Sequence, residues 1–362
     1  MKAVVLLGGE GTRLRPLTYT TPKQLLPVAE VPMFERVLSH LHRHGVDDAV
    51  LSLGYRPDAF MDAYPDARTV GVRLEYAVEP EPLDTAGAIA FAARHAGVDD
   101  TFIVVNGDVL TDVDVSALVD FHKSHGAAAT IHLTAVDDPS RFGVVPTDSE
   151  GRVIEFVEKP PPGTATTNLI NAGTYVLEPE VVERIPGGRR VSVERETFPT
   201  LAGEGAVFAL ALPAYWLDTG TPAAYLQANA DLLDGTRPGE PAPGARPLAP
   251  GVWALGHPAV DGELQGPSLV GDGATVAAGA EVAGSVLGAH SVVEAGAAVR
   301  GSVLLPGARV ASGARVDGSI LGRGAVVGEG ATVAPLSVLG DHAVVPAGAE
   351  LVDARVPAEA PS

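Results

Sequence analysis

From residue 270 onward the aliphatic residues keep one stride. They stand at 270, 276, 282, 287, 293, 299, 304, 310, 316, 321, 327, 333 and 338, so steps of six, six and five close a 17-residue period four times. The tetrapeptide Gly-Ala-x-Val/Leu begins at 273, 279, 296, 307, 313, 324, 330 and 348, which sets a tight turn ahead of each inward aliphatic residue. An amphipathic helix repeats every ~3.6 residues and a half-buried strand every ~2, so neither suits this stride. A triangular coil with one core residue per side does. A single coil has nothing to bury against, so coils must stack, and the pattern predicts a hexapeptide-repeat, left-handed parallel β-helix.

Ahead of this region the periodicity changes. The run VPMFERVLSHLHRHG sets Met33, Val37, Leu38 and Leu41 on one helical face closed by Gly45. DAVLSLG, VRLEYAVE and TFIVVNGD read as strands, and TAGAIAFAARHAG and DVSALVDFHKSHG as helices. That alternation predicts an α/β, Rossmann-like, mostly parallel sheet covered by helices. After residue 140, FGVVPTD, GRVIEFVEKP and INAGTYVLEP read as strands joined by turns, an antiparallel lobe on the same sheet. GTRPGEPAPGARPLAP has little to bury and reads as a linker. The expected organisation is an α/β domain over 1–235, a linker over 236–250 and the β-helix over 251–362.

A formal net charge of −20 argues against nucleic acid and anionic membrane as partners, because both require a basic face. There is no cysteine, which excludes disulfides and thiolate metal sites. Met1-Lys2 leads into an apolar run too short for a signal sequence, so a cytoplasmic protein is expected. Lysine is scarce, four against twenty-one arginines, which draws notice to Lys23 in TPKQLLP and Lys159 in EKPPP as compact, rotatable charges.

The first strand runs into LLGGEGTRLRP. Walker A would require Gly-Lys-Ser/Thr at its end, and the dinucleotide fingerprint a glycine where Leu14 stands. The stretch still has the parts of an anion site: glycines that admit backbone N–H groups, then Arg13 and Arg15, with Lys23 ten residues after Arg13. Asp108 ends the strand of VVNGDVLTD, where an open α/β sheet puts its ligand crevice, and Asp218 ends another in YWLDTGTP. Mg²⁺ commonly takes one or two carboxylates plus substrate phosphates, and these two suffice. EFVEKP and INAGTY offer Glu158 and Asn171 for hydroxyls, Lys159 for a phosphate and Gly173 for close backbone approach. His40, His42 and His44 end a helix, read as structural and not as metal ligands. With no G-x-S-x-G elbow and no cysteine, a covalent acyl or thiol mechanism lacks a nucleophile.

Taken in order, GGEGTRLRPLT, PKQLLPV, EPLDTAG, NGDVL, FVEKP, INAGTYV and YWLDTGTP resemble the sugar-nucleotide pyrophosphorylases, which make an NDP-sugar and pyrophosphate from an NTP and a sugar 1-phosphate. The resemblance spans nearly the whole chain. SVERETFP before YWLDTGTP, with the β-helix, is most similar to mannose-1-phosphate guanylyltransferases, which implies GTP and mannose 1-phosphate as substrates and Mg²⁺ as cofactor. It further implies nucleotide contacts at Leu7, Gly8, Gly9, Gly11, Thr12, Arg13, Lys23, Gly87, Asn106 and Gly107. Sugar-phosphate contacts fall at Gly143, Glu158, Lys159, Asn171 and Gly173, metal contacts at Asp108 and Asp218, and the catalytic set is Arg13, Lys23 and Asp108.

The chain departs from this family at Asp84, where LGTAG commonly has glycine, and KQLLPV also occurs in thymidylyltransferases. Thymidylyl, uridylyl or adenylyl transfer to glucose 1-phosphate or a cyclitol phosphate therefore stays open. So do a β-helix acyltransferase with His290 or His342 as base, and a non-catalytic regulatory paralogue. The small inward residues and Gly-Ala turns of the repeat point to assembly and stability as its main work, hence to a homo-oligomer.

Overall fold

In the computed structural model, which describes residues 1–357, the chain divides into two units. One is Met1–Gly9 with Phe34–Trp216, the other Glu10–Met33 with the chain from Leu217 onward.

In the first unit, Lys2–Leu6 pairs in parallel with Asp48–Leu53 on one side and Phe102–Asn106 on the other, and Asp48–Leu53 pairs in parallel with Val72–Val78. Ala3, Val4, Val5, Ile103 and Val104 are all buried, as the near-continuous apolar runs of a sheet covered on both faces require. Helix Asp84–His95 adds Ala86, Ile89, Ala90 and Ala93 to the core around Val4, Val50 and Val104. Asp114 accepts the N–H of Ala117 at the start of helix Val115–His125, and Gly126 closes it in the left-handed conformation.

Direction then changes. Leu169–Leu177 runs antiparallel to both Phe102–Asn106 and Ala129–Ala135, and Val207–Ala211 joins Ala129–Ala135 in parallel. Gly143–Val144 pairs with Val157–Glu158 and, through Val144, with Ile170. The sequence reading of GRVIEFVEKP as one strand is too long. Only Val157–Glu158 forms a strand, Arg152 and Val153 make isolated bridges, and Ile154 points to solvent at 64% exposure, so the run has no continuous buried face.

The second unit contains the left-handed β-helix as three parallel sheets, each coil giving one strand to each. Val276, Val293, Val310, Val327 and Val345 stack down one side, and Val282, Val299, Val316 and Val333 down the next. On the third side Val270, Leu287, Leu304 and Leu321 follow one another at 17 residues. The fourth closure takes eighteen, because Leu321 pairs with Leu339, not with Val338 as the simple period has it. The extra residue falls at the turn of Pro335 and Leu336, where Leu336 takes the left-handed backbone that Gly301 and Gly318 hold in the preceding coils. Buried serines form a ladder on one edge: the N–H of Ser285, Ser302 and Ser319 each donates to the hydroxyl of the serine 17 residues earlier, at 3.1–3.2 Å. Arg246–Ala249, at the end of the Pro/Gly-rich stretch, lies antiparallel to Val252–Ala254 and starts the third sheet.

Each side of the β-helix gives the axis one large aliphatic residue per coil, with buried alanines at the turns, so truncating a large one leaves a cavity that small neighbours do not fill. Leu304→Ala should lower unfolding stability by about 2–5 kcal/mol, read as a shifted urea midpoint with the slope retained.

Candidate active site

The parallel register of the first unit sets Leu6 beside Asn106, and the N–H of Gly107 donates to the Leu6 carbonyl at 3.0 Å. Leu7, Gly8 and Gly9 leave one strand end, and Gly107 and half-buried Asp108 leave its neighbour, the position at which open α/β sheets bind ligands. Leu7 is fully buried and donates its N–H to Ser52 O. A Cβ on Gly8 would stand 3.2 Å from Oε1 of Glu79, a residue the sequence reading missed. The Glu79 carboxylate accepts the hydroxyl of Ser52 at 2.9 Å and the N–H of Leu83 at 3.2 Å, fixing it beside the glycines. Its one signal in sequence is a carboxylate directly after the strand Val72–Val78.

The expected sugar-phosphate residues gather on the antiparallel strands. Asn171 Oδ1 accepts the N–H of Gly173 at 3.0 Å and its Nδ2 donates to the Tyr175 hydroxyl at 2.9 Å. Gly173 has φ 76, and a Cβ there would stand 2.5 Å from Asn106 Nδ2, so only glycine lets the two strands come this close. Gly143 pairs with Glu158, whose Oε1 lies 3.4 Å from the Lys159 ammonium. Burial first, then the nearby Glu194 carboxylate, pushes the Tyr175 hydroxyl well above the usual phenol range, so it stays a neutral hydrogen-bonding group.

Gly87 lies inside helix Asp84–His95, where a Cβ would stand 2.9 Å from Leu83 Cβ and 3.4 Å from Arg189 O. The N–H groups of Ala86 and Gly87 both donate to Val191 O, at 2.9 and 3.1 Å, so here the glycine serves the close approach of that segment. Asp84 adopts φ 61, a left-handed conformation that costs a non-glycine residue about 1–2 kcal/mol, and its Oδ1 accepts the N–H of Thr85. Glu194, also missed, accepts the hydroxyls of Thr85 at 2.7 Å and Ser192 at 2.9 Å within the π-helical turn Val193–Thr197, a geometry frequent at functional sites.

In the second unit, Gly11 takes φ 63 ahead of the single turn Thr12–Leu14, and Thr18 Oγ1 donates to Gly11 O at 2.9 Å. Lys23 is 7% exposed, and its Cβ would lie 3.0 Å from a Cβ on Gly11. Arg13 Nη2 stands 3.9 Å from Asp218 Oδ2, while Asp218 Oδ1 accepts the N–H of Gly220 at 2.9 Å. Arg15 pairs with Glu10 at 2.8 Å. Gln24 was not singled out either; it is 3% exposed and its Oε1 has no hydrogen-bond partner among the described residues.

The helix-end histidines have protein partners. His40 is buried with Nε2 2.9 Å from Val113 O, and burial pushes its pKa down to about 4. His42 and His44 reach Asp47 and Asp114 at 3.1 and 3.6 Å. His290 and His342 occupy left-handed turn positions of the β-helix, with φ 57 and 58, where other coils carry glycine.

A family model described as nucleotidyl transferase matches residues 2–235, and one described as the GMPPB C-terminal domain matches residues 264–358. The chain belongs to the nucleotidyl transferase family. Its relatives include "Mannose-1-phosphate guanylyltransferase" of Mycobacterium tuberculosis, 42% identical over 286 residues, covering 78% of this chain and 73% of the relative. A "Probable mannose-1-phosphate guanylyltransferase 1" of Oryza sativa is 39% identical, covering 78% and 80%. Among solved structures, HddC from Yersinia pseudotuberculosis is similar with TM-score 0.55 and 32% identity over 63% of this chain and 97% of its own.

Gly173→Ala would combine a left-handed backbone with a clash against Asn106. It should lower stability by about 1–3 kcal/mol, read as an earlier urea midpoint.

Proposed function

We propose that the chain transfers GMP from GTP to mannose 1-phosphate, forming GDP-mannose and pyrophosphate. The observation that carries this reading is the glycine segment, in which Gly11 lies against buried Lys23 and Arg13 stands 3.9 Å from Asp218. The relatives named above supply the choice of guanine and mannose.

In the reaction an ionised oxygen of mannose 1-phosphate attacks the α-phosphorus of GTP, a new P–O bond forms, and the bond from the α-phosphorus to the bridging oxygen breaks as pyrophosphate leaves. The attacking phosphate is already ionised, so no general base is required. Catalysis then consists of positioning and charge neutralisation. Arg13 and Lys23 grip the triphosphate, backbone N–H groups at Gly8, Gly9 and Gly11 admit it closely, and Thr12, Gly87, Asn106 and Gly107 complete the nucleotide set. Glu158 and Asn171 bind sugar hydroxyls, Lys159 the sugar phosphate, and Gly143 and Gly173 let the backbone come close to Glu158 and Asn106.

Among the described residues no group of three or more His, Cys, Asp or Glu side chains could cage a metal ion. A magnesium ion held largely by substrate phosphates does not need one, and the half-buried carboxylates of Asp108 and Asp218 are hard oxygen donors of the right kind. When bound, Mg²⁺ supplies neutralisation of phosphate charge. No helix among the described residues is long and apolar enough to cross a membrane. We assign the chain to the cytoplasm, with self-association through the β-helix.

A panel of four NTPs against several sugar 1-phosphates, with pyrophosphate release measured, should give the highest kcat/KM for GTP with mannose 1-phosphate. A much higher value for dTTP or UTP with glucose 1-phosphate would overturn the guanylyl assignment and leave the transferase class standing. Lys159→Ala should raise the KM for sugar phosphate at least about tenfold, the loss of one charge-assisted hydrogen bond, with the KM for GTP nearly unchanged. Unchanged sugar-phosphate kinetics would make Lys159 a surface charge only.

A further inference from the structure

The segment that carries Arg13 and Lys23 consists of three single turns, Thr12–Leu14, Leu17–Tyr19 and Lys23–Leu25, and the two-residue strands Pro27–Val28 and Val31–Pro32. One-turn 3-10 pieces do not hold themselves in place, since nucleating a turn costs more order than its hydrogen bond returns. Helix Pro222–Leu233 holds the far end of the segment, where Asn229 Oδ1 accepts the N–H of Ala29 at 2.7 Å and the Tyr225 hydroxyl donates to Pro27 O. The β-helix supplies ties along the rest. Thr20 Oγ1 donates to Asp341 Oδ2 at 2.7 Å, and Asp341 Oδ1 accepts the N–H of Arg323 in the coil before, at 2.8 Å. Gly340 lies against Pro16, where a Cβ would stand 3.1 Å from the proline Cβ. Further along, Glu30 Oε2 accepts the N–H of Ala289 at 2.9 Å, and the charge of Arg323 acts on the same carboxylate. The ties at Thr20 and Glu30 fall on either side of Lys23, and that at Pro16 follows Arg13 and Arg15 directly.

We propose that the β-helix is a working part of the nucleotide site: its turns at Ala289, Arg323 and Asp341 hold the Glu10–Met33 segment so that Arg13 and Lys23 keep the spacing a triphosphate needs. Asp341 is then a positioning residue, acting through Thr20 and touching no substrate. This rests on the reading of the segment as the nucleotide-phosphate loop. It also gives the repeat a task beyond assembly, for which its outward turn residues and not its aliphatic core are responsible. Arg323 and Asp341 occupy the turn position that Asp272, Ala289 and Pro306 hold in other coils, and neither belongs to the aliphatic core.

The test uses the full chain with Thr20→Val, Asp341→Ala, the double variant, Thr20→Ser as a rescue, and Glu281→Gln as a control that breaks the β-helix surface pair with Arg300 at 2.6 Å. Hydrogen exchange of peptides covering residues 11–26 is measured beside GTP kinetics and the thermal midpoint. Thr20→Val and Asp341→Ala should each speed exchange in that segment and raise the KM for GTP about fivefold with kcat within about twofold. Thr20→Ser should restore both, the double variant should be no worse than the worse single, and Glu281→Gln should match wild type. Unchanged exchange and unchanged KM in Thr20→Val, or a lower thermal midpoint with no selective loss in the segment, would overturn the proposal. Should the wild-type chain transfer no nucleotide at all, the assignment of function fails separately, and the exchange measurement alone decides whether the β-helix holds the segment.

Discussion

The parallel pairing of Lys2–Leu6 with Phe102–Asn106 is the constraint from which the rest of the first unit's chemistry follows. Its register puts Leu6 opposite Asn106, and the bond from Gly107 to Leu6 continues the ladder one residue past the strand. A slip of one residue would turn every side chain of the strand to the opposite face. It would also move Gly8, Gly9 and Asp108 off the shared strand edge. The register is protected by packing: Val4, Val5, Val104 and Ile103 are fully or nearly fully enclosed, so a slip would have to repack both faces of the sheet. The proposed contacts at this edge therefore draw their precision from the buried core.

In each unit a glycine serves proximity more than turning. Gly173 over Asn106 and Gly220 beside Arg13 are positions where a methyl group would overlap a polar side chain, at 2.5 and 2.4 Å. Both neighbours belong to the groups expected to meet the substrates. The backbone comes close so that these side chains are confined to a narrow set of rotamers, which reduces the ordering left for the bound state to impose.

The large elements were legible because each has a period fixed by geometry. The 17-residue stride names the β-helix, and the alternation of apolar runs names the covered sheet. The eighteen-residue coil at Leu339 escaped because its inserted residue lies in a turn, and Val338 and Leu339 are both aliphatic, so the sequence offers two registers and hydrogen bonding selects one. Gly87 reads in sequence as one more glycine of a nucleotide motif; what it does locally depends on Arg189 and Val191, about a hundred residues on, which no local pattern contains. Glu79 and Glu194 were missed for a related reason. Each is marked by which hydroxyls and N–H groups reach it, and one partner of each is distant in sequence, Ser52 for Glu79 and Thr85 for Glu194. Residues that hold two segments together leave little mark in the sequence, even where, as at Glu79, they directly follow a strand.

An acidic chain that binds a polyanion must keep its cations from being screened by its own carboxylates. With a net charge of −20 the long-range field opposes a triphosphate, so attraction has to be local. Arg13 is 3.9 Å from Asp218, and Lys159 is 3.4 Å from Glu158; both cations are more than half exposed. Pairs of this kind hold a side chain in place for ~0–1 kcal/mol, which a phosphate oxygen can readily match or exceed. In the proposed reaction these carboxylates would orient the cations and still leave them to the phosphates. Scarcity of lysine has the same logic, since a chain whose general positive charge is arginine carries few mobile ammonium groups to draw a nucleotide elsewhere on its surface.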